Sequence, residues 1–133
     1  MQLFNLIQHI AQRQGWTAQM DQQGTIQVSI ALHGNRYQVV RVTEGKDPDQ
    51  DDIIYLASTA GEQAACRDPW GLLTYSVNMA YGSAVLHQGH IVVKHTIRKA
   101  AADDATLTKS IFHVGREADT LEAQAYGQHT DRM

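Results

Sequence analysis

Two apolar alternations separated by a four-residue turn constrain this chain more than any other feature. Ile26, Val28, Ile30 and Leu32 alternate with Gln27, Ser29 and Ala31, the period-two pattern of a strand with one buried face. His33-Gly34-Asn35-Arg36 follows, rich in residues that tolerate positive φ, and Tyr37 to Val42 is then rich in β-branched and aromatic side chains. So short a connection joins neighbouring antiparallel strands, because a parallel pair needs a crossover of roughly a dozen residues or more. Ile53 to Thr59 reads as a third strand of the same kind, giving an antiparallel meander.

Helical periodicity brackets the meander. Leu3, Leu6, Ile7, Ile10 and Gln14 recur at three- and four-residue steps, with Phe4 and Ala11 beside them and Gly15 as a stop. Asp68-Pro69 reads as an N-cap followed by proline at the first helical position, and a helix is expected from about Pro69 to Met79. Trp70, Leu73 and Val77, joined by Leu72 and Ala80, lie at helical steps within it, and Tyr81-Gly82 ends it. Ser83 to His87 and His90 to Ile97 flank Gln88-Gly89 as a second, tighter hairpin. The last helix starts at Asp103-Asp104 and carries one apolar seam through Leu107, Ile111, Val114, Ala118, Leu121 and Ala125. The expected order is helix, three strands, helix, two strands, helix, and the class is α+β with an antiparallel sheet and packed helices. At 133 residues the chain fits a single domain, assigned to residues 1–127, with 128–133 as a frayed tail.

Charge narrows the partners. The net charge of −3 comes mainly from residues 44 to 52, where five carboxylates face one lysine. The rest of the chain is close to neutral, and its aromatics are not interleaved with Lys or Arg, so neither nucleic acid nor an anionic membrane is an expected partner. A lone Cys66 and an N-terminus without a basic start and apolar run point to a reducing cytoplasm. No apolar stretch approaches the roughly 20 residues of a membrane helix.

Motifs for chemistry are sparse. Asp47, Asp49 and Asp51 alternate like the first ligands of a calcium loop, but Asp52 occupies its glycine position and Ser58 the place of its bidentate Glu. His87 and His90 bracket the Gln88-Gly89 turn with His95 further along, the basis for a rival reading as a small metal-binding sensor or enzyme. His113 and Glu117 lie one helical turn apart without the zinc-protease pattern, and Cys66 precedes a helix without a cysteine-enzyme signature. Dinucleotide, phosphate-loop and nucleophile-elbow motifs are missing, so the expectation is a non-enzyme that needs no cofactor.

The element order, with Leu72-Leu73 followed by Asn78, Gly82 opening a strand, the Gln88-Gly89 turn and Ala118-Asp119-x-Leu121-Glu122 before Gly127, resembles the YbjN family within the type III secretion chaperone-like superfamily. That resemblance spans about residues 2 to 127 and implies a non-enzymatic protein-binding role. Secretion chaperones of this fold are small cytosolic dimers that hold an unfolded segment of an exported protein, and YbjN-like proteins are described as regulators of bacterial stress or motility. Secretion chaperones are typically acidic throughout, whereas here the acidity is one loop, which favours the YbjN-like branch. The expectation is therefore a homodimer that binds another protein. Phe4, Trp70 and Tyr81 are candidate partner-binding residues, since aromatic anchors dominate interface energies, and Ile7 on the first helix is a candidate with them.

Overall fold

The structure is a computed structural model, and it describes residues 2–126. The residues assigned to a frayed tail, 128–133, lie outside that range. The elements run α1 (Leu3–Gln14), β1 (Thr17–Met20), β2 (Ile26–Ala31), β3 (Tyr37–Lys46), β4 (Asp52–Glu62), α2 (Pro69–Ser76), β5 (Ser83–His87), β6 (His90–Arg98) and α3 (Asp104–Tyr126). Among the described residues the strands form one antiparallel sheet in the order β1-β2-β3-β4-β6-β5. The class is α+β, as the sequence pattern predicts.

One strand is additional to the expected order. β1 pairs with β2 from Thr17↔Ser29 to Met20↔Ile26, around a turn at Asp21–Gly24. There the Asp21 carboxylate accepts from the backbone N–H groups of Gln23 at 2.8 Å and Thr25 at 3.0 Å. Asp47 does the same in the acidic loop, accepting from Asp49 N and Asp51 N at 2.9 Å each, while Asp51 and Asp52 pair with Arg98 and Lys46. The acidic loop is therefore a side-chain-closed turn that carries β3 into β4.

Strand alternation sorts the sheet into two faces. Ile26, Val28, Ile30, Val40, Val42, Ile54, Leu56, Val93 and Ile97 point to one of them, where they are buried under Ile7 and Ile10 of α1 and the α3 seam from Leu107 to Leu121. Each such aliphatic side chain contributes about 1.5–3 kcal/mol by leaving water. Gly115 lets α3 lie close on the sheet, since a Cβ there would enter the space of the Ile30 side chain.

Two ion pairs lock the helices in place. Arg13, in the last turn of α1, makes a bidentate contact with Asp104 in the first turn of α3. Arg36, in the β2–β3 turn, reaches Asp119 of α3 at 2.6 Å, and the Asp119 side chain is only 10% exposed. Asp119→Ala would remove this partly buried pair, so urea unfolding should show a loss of about 1–2 kcal/mol, discounted for the exposed part of Arg36. A change within error would mean that the pair is solvent-screened.

Candidate protein-binding surface

The helix α2 is short, and its start is fixed locally. Asp68 caps it by accepting from Gly71 N at 3.0 Å, Pro69 occupies the first turn, and a side chain at position 71 would collide with the capping carboxylate. The regular helix ends at Ser76, earlier than the expected Met79, and the chain continues through i to i−3 hydrogen bonds at Val77, Asn78 and Met79.

The apolar residues of α2 are distributed unlike those of the other two helices. Leu72 turns into the core, while the residues whose spacing marks an apolar face turn outward: Trp70 is 78% exposed, Leu73 56% and Val77 82%. Beside them Leu86 on β5 is 59% exposed. Cys66, Pro69, Trp70, Leu73, Ala84 and Leu86 line an open cleft of about 270 Å³ between α2 and the edge of the sheet. β5 is an edge strand, and one of its outward donors is occupied, because Ala84 N donates to Ser76 Oγ at 3.0 Å.

Aromatic stacking anchors the chain as it leaves α2. The Tyr81 ring stacks on His113 of α3 with centroids 4.6 Å apart and tilts against His95 of β6 at 5.7 Å. Burial lowers the pKa of His95; burial, reinforced by Arg116 and Lys109 and opposed by Glu117, lowers that of His113. Nearby, burial and the Glu117 carboxylate push the Tyr75 phenol upward. The fold therefore disfavours the charged form of both imidazoles, and protonation favours the unfolded chain. Their contribution to stability is complete above the ordinary imidazole pKa of about 6.5 and is lost as pH falls below it. Unfolding measured from pH 7.5 to 5 should show this fall, and His95→Gln with His113→Gln should flatten it; an unchanged slope would assign the fall to other groups.

The four candidate partner-binding residues do not form one patch. Ile7 is fully buried in the core, so it packs the fold and is not available to a partner. Phe4 is half-buried and lines a separate groove with Met20, Ile26 and Val42. Tyr81 turns inward onto the histidines, and Trp70 stands in solvent. Leu73, Val77 and Leu86 complete the Trp70 patch, and the sequence signal for three of the four was the apolar helical spacing already noted.

The metal reading does not survive strand alternation. His87 and His90 are register partners, but His95 lies five residues from His90 and thus on the opposite, helix-covered face, against Tyr81. Among the described residues no three His, Cys, Asp or Glu side chains gather as a metal site. His113 and Glu117 likewise serve as packing partners of Tyr81 and Tyr75.

Comparison with solved structures bears on the fold. The type III secretion chaperone SycH of Yersinia pestis, solved with a stable fragment of YscM2, superposes with a TM-score of 0.56 over 89% of this chain and 98% of its own, at 12% identity. ExsC–ExsE is a second such match, with a TM-score of 0.60 over 94% of this chain and 97% of the matched one, also at 12% identity. The fold is that of type III secretion chaperones. Both matched structures are complexes. No protein-family model matches the sequence, and no curated protein matches it. Among the described residues no helix is long and apolar enough to cross a membrane.

Proposed function

We propose that this chain is a non-enzymatic, cytoplasmic protein-binding module, a YbjN-like regulator or chaperone that acts as a homodimer and holds a segment of another protein. The observation that carries the reading is the outward apolar face of α2, Trp70 and Leu73, extended by Val77 just past its end and by Leu86 on β5. Such a cluster is costly to leave in water and is the composition of an interface centre. A helix and an edge strand side by side suit a two-fold contact, in which the same patch meets itself.

A second reading, a type III secretion chaperone for an exported effector, is favoured by the likeness to SycH, whose structure holds a fragment of YscM2. Sedimentation velocity across a wide concentration range tests the first reading. A dimer that dissociates on dilution is the expected result, and a monomer at every concentration would remove the homodimer.

A further inference from the structure

The face of the sheet turned away from the helices carries a second, chemically different surface. One cross-strand row runs over all six strands: Gln19, Gln27, Arg41, Ala57, Lys94 and Ser83 are successive register partners. Arg41 and Lys94 flank Ala57 two strand spacings apart, about 10 Å between backbones. Because Ala57 is small, the two cations stand over an open trough of about 460 Å³, walled by Tyr55, Val85 and His87.

Among the described residues neither cation is matched with a carboxylate. Arg41 donates to the Thr59 hydroxyl at 3.2 Å, and Lys94 lies 4.4 Å from the centroid of the Tyr55 ring. The two therefore lean apart, held only by neutral partners that contribute little at an exposed site. Arg13, Arg36, Lys46, Arg98 and Lys99, by contrast, are all matched with Asp or Glu. The adjoining rows, Thr43-Tyr55-Thr96 and Thr59-Val92-Val85, hold no acid either.

We propose that this open sheet face is a docking surface for an extended, acidic segment of a partner protein, with a carboxylate seated over Ala57 between Arg41 and Lys94. The rows suit such a segment: the cations supply the charge, and Tyr55, Val92 and Val85 supply apolar contact beside it. A second copy of this chain is the poorer occupant, because its acidic loop is already engaged internally by Lys46 and Arg98. The proposal rests on the protein-binding reading above; its trough meets the Trp70 cleft at Val85 and Leu86 of the edge strand, while Arg41 and Lys94 line the trough alone and Trp70 lines only the cleft.

The test is a nitrogen-15 NMR titration with an eight-residue peptide of alternating threonine and glutamate, against its glutamine counterpart. The glutamate peptide should shift the amides around Ala57, Tyr55 and Lys94 and bind more tightly than the glutamine peptide. Arg41→Glu with Lys94→Glu should weaken it about tenfold, since each exposed ion pair adds only a few-fold and reversal adds repulsion. Trp70→Asp should leave peptide binding unchanged even where it abolishes self-association, so the two readings can fail separately. Equal binding of both peptides, no shifts at about 1 mM peptide, shifts confined to another surface, or full binding by the reversed variant would each overturn the proposal. So would the same shifts from inorganic phosphate or a short oligonucleotide at lower concentration, which would mark a general anion site.

Discussion

Gly82→Ala is expected to destabilise the protein by about 2–4 kcal/mol, the largest loss from adding a single methyl group. Gly82 has φ of +89°, and a Cβ there would strike the backbone carbonyl of Lys94, an atom that cannot rotate away. The residue joins the Tyr81 anchor to β5, so relief would require β5 to move off β6 and would open the α2–β5 cleft. Gly89→Ala is the control. Its φ of +79° carries the same conformational penalty, but nothing lies within 4 Å of the added atom. The difference between the two variants in urea unfolding reports the carbonyl contact alone, and equal losses would show that the contact relaxes at no cost.

Trp70→Asp and Leu86→Asp should have their large effect on association, with stability almost unchanged. A central interface tryptophan typically contributes about 2–4 kcal/mol, so the dimer Kd should rise roughly 30- to 1,000-fold. The unfolding free energy of the dissociated chain should stay within about 0.5 kcal/mol of the parent, because both residues stand outside the core. Leu72→Ala marks the contrast: Leu72 is buried, so its loss should cost about 2 kcal/mol or more in folding. Unchanged self-association in the Trp70 and Leu86 variants would move the interface elsewhere.

Most strands were legible because each buries one face against helices, which writes the period of two directly into Ile26-Val28-Ile30 and Ile54-Leu56. β1 left no such mark. In Thr17-Ala18-Gln19-Met20 only Ala18 packs on the core, too little for a periodic signal, and the strand exists by pairing to β2. Depth was equally hidden. The α1 spacing marks an apolar face, but periodicity cannot say that Ile7 lies at its sealed centre and Phe4 at its rim.

The Trp70 patch was written in the sequence in a form that misleads. Trp70, Leu73 and Val77 have the spacing of a core-facing stripe, yet it is Leu72 that turns inward. A helix of eight residues can carry one apolar side for the fold and another for something else, and spacing alone does not say which is which. The Arg41-Ala57-Lys94 row was invisible for another reason: its members come from three strands and meet only through register.

The contact between Arg13 and Asp104 joins residues 91 positions apart, and it brings α1 against the start of α3. During synthesis, α1 and the sheet leave the ribosome with their apolar face uncovered until the seam from Leu107 to Leu121 follows. Completion of the core therefore waits for the last fifth of the chain. A nascent chain stalled before α3 should remain protease-sensitive throughout, and folding should be slow for a protein of this size, because so many of its contacts close long loops.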